Sequence, residues 1–217
     1  MRYQAVIFDL DGVICHTDEY HYLAWKEIAG ELKIPYSREI NDRMRGIDRM
    51  ASLDVLLEGS DMTFSAEMKD HYANKKNMIY RNLLNNLSPK NLDPDVMETL
   101  TGVRAGGLKL AIGSSSKNTK FILDRLGLGT FFDAVSDGTD VTHAKPNPEV
   151  FLIAAKRMAV DPKACLVVED AISGILAAKA AGMDAAAIGE ASESGLAKYK
   201  LKRLSDLLKI IIKIDIE

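Results

Sequence analysis

Four short apolar runs limit what this chain can become: Ala5–Asp9, Leu108–Gly113, Cys165–Glu169 and Ala185–Ile188. They are too short for helices and carry no regular polar alternation. That is the pattern of strands covered on both faces. Each of the first three leads into a polar turn and then a helix-like segment. Lys120–Leu126 follows Asn118 and Thr119, either of which can cap it. Ala171–Ala181 follows Asp170, a good N-cap, and stops at Gly182. Pro148 suits the first turn of a helix running to about Met158. Strand, turn, helix, strand is the signature of an α/β fold with a parallel sheet and helices on both faces.

The stretch 17–87 breaks this rhythm and has no convincing strand. Glu19–Leu32 places Tyr22, Leu23, Trp25, Ile28, Ala29 and Leu32 at helical spacing. Ile40–Met44, Met50–Glu58 and Ser65–Leu84 also read as helices, and Asn85–Pro89 reads as a return linker. The expected organisation is a core of residues 1–16 and 88–217, with residues 17–87 inserted as a helical domain. Trp25 is expected in the apolar core of that insert, with Met44 and Met50 as packing filler.

Composition supports this and excludes some partners. With 217 residues, 47% of them hydrophobic, the chain can bury a core and a smaller insert. A net charge of −3 with 27% charged residues shows no basic footprint for nucleic acid. The 2 cysteines, Cys15 and Cys165, make no disulfide framework, so a reducing cytoplasm is expected. Asp9 and Asp11 interrupt the N-terminal apolar run, which argues against a signal peptide. No apolar run is long enough to cross a bilayer. A monomer is expected, because no large apolar stripe is left unassigned.

The polar residues that end the strand runs carry the chemistry. Asp9-Leu10-Asp11-Gly12 ends the first, Ser114-Ser115-Ser116-Lys117-Asn118 follows the second, and Glu169-Asp170 closes the third; Lys145-Pro146 lies between the last two. Ligands of open parallel sheets bind at the carboxyl ends of the strands, so these groups should converge. Up to four carboxylates would meet there, repelling by about 4 kcal/mol per pair at 4 Å in an effective dielectric near 20. A hard divalent cation with oxygen ligands, Mg²⁺, offsets that charge and leaves room for phosphate oxygens. Lys145 adds a fixed positive charge, and Ser114 with nearby N–H groups can hold phosphate. Phosphoryl transfer follows as the expected reaction. Asp9 is the nucleophile candidate and Asp11 the acid/base. Some alternatives stay open. Glu169 could be only an anion at a helix start, Ser116–Asn118 could simply begin a helix, and His21 could be a packed helix residue.

These motifs, in this order, resemble the four motifs of the haloacid dehalogenase superfamily. The likeness is closer still to its β-phosphoglucomutase branch. It extends to Phe8–Ile14, Glu19-Tyr20-His21 with Trp25, Arg49 with Ser52-Leu53, and Glu169-Asp170 leading to Gly174-Ile175. The resemblance implies a Rossmann-like core with a helical cap that closes over the site. It implies Mg²⁺ held by Asp9, the Asp11 backbone carbonyl and Asp170, with Glu169 nearby. Ser114 and Lys145 would bind the transferring phosphate. Arg49, Ser116, Lys117 and Asn118 would bind a distal phosphate of a sugar bisphosphate. Thr17 would mark the hinge and His21 would support Asp11. Arg45, Gly46 and Ser52 complete the implied substrate-binding set, although the family commonly has lysine where this chain has Arg45. The implied reaction interconverts β-glucose 1-phosphate and glucose 6-phosphate through an aspartyl-phosphate and a 1,6-bisphosphate. The implied alternatives are a sugar-phosphate phosphatase and a non-catalytic sugar-phosphate-binding module.

Overall fold

The structure, a computed structural model, describes residues 2–44 and 47–212. The chain begins with β1 (Ala5–Phe8) and four helices, α1 (Asp18–Leu32), α2 (Arg38–Asp42), α3 (Arg49–Leu57) and α4 (Ala66–Leu84). It continues with α5 (Pro94–Ala105), β2 (Lys109–Gly113), α6 (Thr119–Arg125), β3 (Ala134–Ser136) and α7 (Glu149–Met158). It ends with β4 (Cys165–Glu169), α8 (Ile172–Ala180), β5 (Asp184–Ala187), β6 (Tyr199–Lys200) and α9 (Asp206–Ile212). Two compact units result, one of Met1–His16 with Ser88–Glu217 and one of Thr17–Leu87.

The first unit is a Rossmann-like α/β core. Its sheet runs β3-β2-β1-β4-β5-β6, and every pairing is parallel. All four residues of β1 are 0% exposed, so both faces are covered. Ala5, Ile7, Ala111 and Val167 share one face with Phe151 and Ala154 of α7 and Ile175 and Ala178 of α8. The alternate residues, among them Val6, Phe8, Leu110 and Ile112, are buried too, and α5 packs against β2. Register decides where the site forms. Phe8 is level with Ile112 and with Val168, so Asp9, Gly113 and Glu169 leave the sheet together. On β5, next to the edge strand, the Asp184 carboxylate accepts from Tyr3 at 2.6 Å, Lys198 at 2.8 Å and Arg2 at 2.9 Å, tying β5 to the start of the chain.

The helix after β4 departs from expectation. It starts at Ile172 with Ala171 in the capping position, whereas the sequence suggests Asp170. The reason is Glu169. Its Oε2 accepts from the backbone N–H groups of Asp170 at 3.0 Å and Ala171 at 3.1 Å. The carboxylate that ends the strand thus satisfies donors of the turn from behind. Elsewhere the core adds β3, too short to show periodicity. It also adds α5, which begins with Pro94 after Asp93, whose Oδ1 accepts from Asp95 N–H at 2.8 Å.

The loop after β3 is clamped to α7. Both terminal guanidinium nitrogens of Arg157, Nη1 and Nη2, donate to Asp140 at 2.7 Å. This hydrogen bonding pulls the Asp140 carboxyl down to about 2. A folded pKa below the ordinary value contributes stability in full above about pH 4 and loses it as pH falls towards 2. Arg157→Met is therefore expected to shift the acid-unfolding midpoint to higher pH. An unchanged midpoint in circular-dichroism titrations would show that the pair contributes nothing.

The second unit is wholly helical among its described residues. Three of its described helices, α2, α3 and α4, start where side chains accept backbone N–H groups. Asp48 accepts from Met50 and Ala51 at 2.8 and 3.0 Å, and Ser65 accepts from Met68 at 3.2 Å. The helix α4 packs along α1 and α3 around Trp25, Ile28, Leu53, Leu56 and Ala73, with Met44 buried beside them. Met50, expected as filler, is exposed instead. It lies roughly 110° around α3 from the centre of the face that buries Ser52, Leu53 and Leu56. Among the described residues, no helix is long and apolar enough to cross a membrane.

Candidate active site

The first strand ends by placing Asp9 in a buried acidic cluster. Carboxylate oxygens of Asp9, Glu169 and Asp170 lie within 4.8 Å of one another. Lys145 enters beside them. Its Nζ donates to Asp9 Oδ1 and, at 2.6 Å, to Glu169 Oε1. All three of these side chains are almost fully buried. Burial pushes the Asp9 carboxyl well above its ordinary pKa. Lys145 opposes that shift, while Glu169 and Asp11 reinforce it. Burial disfavours the Lys145 ammonium, yet Asp9 and Glu169 outweigh it and hold Lys145 above the usual lysine range. Lys145 is the charged anchor of a site that crowds negative charge.

Two glycines make this approach possible. At Gly12 φ is +85°, a left-handed conformation, and a Cβ there would fall inside the Asp170 carboxylate. The turn it forms is closed by Gly12 N–H to Cys15 O at 2.7 Å and by a bridge between Asp11 and Cys15. Asp11 is thereby held two residues beyond Asp9, half-buried. At Gly174, in the first turn of α8, a Cβ would fall inside the Glu169 carboxylate. Glu169 can sit under α8 only because residue 174 has no side chain.

The loop after β2 is preorganised by its own backbone. Ser114 N–H donates to Ser136 O at 3.1 Å, and Ser114 Oγ accepts from Ser116 N–H at 3.1 Å. Ser116 Oγ accepts from Asn118 N–H at 3.2 Å, and Ser116 O accepts from Thr119 Oγ1 at 2.8 Å. Asn118 occupies the capping position of α6, but its side chain makes no capping hydrogen bond there. Ser114 and Asn118 are buried, whereas Lys117 is exposed.

The helical unit holds its own polar cluster. Lys76 Nζ lies 2.7 Å from His21 Nδ1, and the His21 ring stacks on Tyr80 with centroids 4.1 Å apart. The same ammonium lies 4.7 Å from the Tyr80 ring and 5.1 Å from that of Trp25. Burial, then Lys76 and Arg49, hold the His21 imidazole well below its ordinary pKa. His21 is therefore neutral near pH 7, accepting at Nδ1 and carrying its proton on Nε2. Arg49 donates to Asn77 Oδ1 at 2.9 Å. Thr17 is buried at the start of α1, where its carbonyl accepts from His21 N–H at 3.1 Å. Ser52 is buried, with Oγ donating to Asp48 O at 2.9 Å, a capping-turn bond within α3. Arg45 and Gly46 lie outside the described residues.

The structure thus brings Asp9, Lys145, Glu169 and Asp170 together, with Asp11 and the Ser114–Asn118 loop on neighbouring turns of the same unit. Thr17, His21, Arg49 and Ser52 belong to the helical unit. Sequence reasoning passed over Lys76 and Asn77. Lys76 falls on the buried stripe Ala73, Tyr80 and Leu84 of an otherwise polar helix. A lysine at that spacing was the available signal.

Comparison with known proteins fits this architecture. The model of the haloacid dehalogenase-like hydrolase family matches residues 3–182. A β-phosphoglucomutase of Bacillus subtilis (strain 168) is 39% identical over 206 residues, 94% of this chain and 91% of that protein. The fructose-1-phosphate phosphatase YqaB of Escherichia coli (strain K12) is 37% identical over 186 residues, 85% of this chain and 95% of that protein. The crystal structure of a β-phosphoglucomutase from Clostridium difficile superposes with a TM-score of 0.88 at 34% identity, covering 97% of this chain and 96% of that one.

Proposed function

The chain belongs to the haloacid dehalogenase-like hydrolases, and on that premise we propose that it is a Mg²⁺-dependent β-phosphoglucomutase acting through a phosphorylated Asp9. The observation that carries this reading is the buried Asp9 carboxylate, bonded to Lys145 inside a cluster of three carboxylates at the sheet's carboxyl end. All the donors in that cluster are oxygens, which suits a hard divalent cation. Asp9, Asp170 and the Asp11 carbonyl would hold it, with Glu169 beside them. When bound, Mg²⁺ supplies charge that stabilises the transferring phosphoryl group.

The chain's own residues do the rest. The O6 hydroxyl of β-glucose 1-phosphate attacks the phosphorus of phospho-Asp9 while Asp11 takes the hydroxyl proton. The P–O bond to Asp9 breaks and glucose 1,6-bisphosphate is released into the site. After the intermediate turns round, Asp9 attacks the phosphate at C1 and Asp11 returns its proton to O1. Lys145 and Ser114 bind the moving phosphate. Ser116, Lys117 and Asn118 are assigned to the phosphate that stays. Glu169 holds Lys145 and the turn after β4 in place.

A second reading is a sugar-phosphate phosphatase, in which water takes the phosphoryl group from Asp9. Likeness to a phosphatase at 37% identity favours it. One assay separates the two: β-glucose 1-phosphate with Mg²⁺ and a trace of glucose 1,6-bisphosphate, following glucose 6-phosphate and inorganic phosphate together. Glucose 6-phosphate is expected to account for substrate loss. Inorganic phosphate rising in step with substrate loss, without glucose 6-phosphate, would replace the mutase with the phosphatase. A scan of other hexose 1-phosphates under the same priming identifies the sugar.

A further inference from the structure

We propose that Phe151 is a positioning residue for Lys145, holding the ammonium beside Asp9 with the face of its ring, and that residue 113 is glycine to admit that ring. The proposal rests on the phosphoryl-transfer reading of Lys145. The Phe151 side chain on α7 is fully buried, and its ring centroid lies 4.8 Å from Lys145 Nζ. That is within the range over which an aromatic face attracts a cation, and the attraction is strongest where water is excluded. A Cβ on Gly113 would approach Phe151 Cδ1 to 2.6 Å and Cε1 to 2.8 Å, and Ile7 closes the same space. Gly113 is the last residue of β2 and immediately precedes Ser114, so the glycine, the ring and the ammonium form one stack leading to the phosphate loop.

The ring offers something Asp9 does not. Asp9 changes from carboxylate to acyl phosphate and back during each cycle, while Glu169 Oε1 and the ring stay unchanged beside the ammonium. A phenyl face neither titrates nor competes for the phosphate, so it keeps the ammonium pointed inward while Asp9 is modified.

The test replaces Phe151 with 4-fluoro-, 3,5-difluoro- and 3,4,5-trifluorophenylalanine, which weaken the ring's negative face stepwise at nearly constant shape. Three quantities are read: the Kd of fluoroaluminate with Mg²⁺, the Lys145 ammonium ¹H–¹⁵N signal, and the thermal midpoint. The Kd is expected to weaken in graded steps to about tenfold at three fluorines, with the ammonium signal moving in parallel and the thermal midpoint constant. Gly113→Ala should weaken the same Kd by displacing the ring. A flat Kd across the series, with the parent protein binding normally, overturns the positioning role even if the ammonium signal moves. A Kd that weakens only in step with the thermal midpoint shows packing alone and also overturns it. If the parent protein fails to bind fluoroaluminate, the phosphoryl-transfer reading is what fails, and the role of Phe151 falls with it.

Discussion

Asp9→Asn is expected to reduce turnover by a factor of about 10⁴ or more without lowering the thermal midpoint. The amide has nearly the carboxylate's shape and can still accept from Lys145, but it cannot accept a phosphoryl group. The activity loss should be accompanied by loss of the phosphoryl adduct in intact-mass spectra of enzyme quenched during turnover. Turnover within tenfold of the parent protein would sink the covalent route. The stability half of the expectation follows from burial. The Asp9 pKa is raised in the folded state, so the folded chain holds its proton over a pH range where the unfolded chain has released it. Stability therefore falls as pH rises from about 4 towards the folded pKa. Melts recorded without divalent cations should show that slope in the parent protein and a flatter profile in Asp9→Asn. A site built for chemistry costs the fold something here, as functional sites commonly do.

Gly174→Ala is expected to destabilise by about 2–4 kcal/mol, against the trend for glycine in helices. Helix propensity alone favours alanine by about 1 kcal/mol. The new Cβ would take the place of the Glu169 carboxylate, which must then leave Lys145 and the N–H groups of Asp170 and Ala171. Breaking a buried ion pair costs about 3–5 kcal/mol, so the displacement wins. The thermal midpoint should fall by roughly 5–15 °C, and turnover should fall with it because Lys145 loses one of its anchors. Gly30, near the end of α1, is the control. Nothing lies within 4 Å of a Cβ there, so Gly30→Ala should be neutral or stabilising by up to about 1 kcal/mol. If both substitutions behave alike in parallel melts, the crowding at Glu169 is not what fixes residue 174.

How far these features could be read from the sequence depends on how local their causes are. β1, β2 and β4 were legible because burial on both faces leaves short, mostly apolar runs. β3 was not, because three residues carry no period. The groups at the carboxyl ends of β1, β2 and β4 could be expected to converge because parallel register brings equivalent strand ends level. What the sequence could not show was the division of labour among them. In the sequence Glu169 reads equally as a ligand or a helix-start anion, whereas in the structure its two oxygens serve Lys145 and the turn separately. That arrangement displaces Asp170 from the expected capping role. Lys76 was hidden because a lysine on a polar helix ordinarily faces water, and only its place on the Ala73–Tyr80 stripe marks it. Phe151 and Gly113 read as ordinary core residues, since nothing in a linear pattern shows which charged group a ring will face.

The central place of β1 in the sheet also shapes how the chain is made. Its two neighbours, β2 and β4, are encoded about a hundred and a hundred and sixty residues later. At ribosomal speeds of about 5–20 residues per second, the Ala5–Phe8 segment waits on the order of ten seconds or more for its second neighbour. Until β2 emerges, four consecutive apolar residues have no strand to join, while the helical stretch 17–87 has already emerged as one continuous piece. The strand that leads into Asp9 is made before both of its partners and is enclosed only when β4 arrives, so the newborn chain is open to mispairing at the segment beside its acidic cluster.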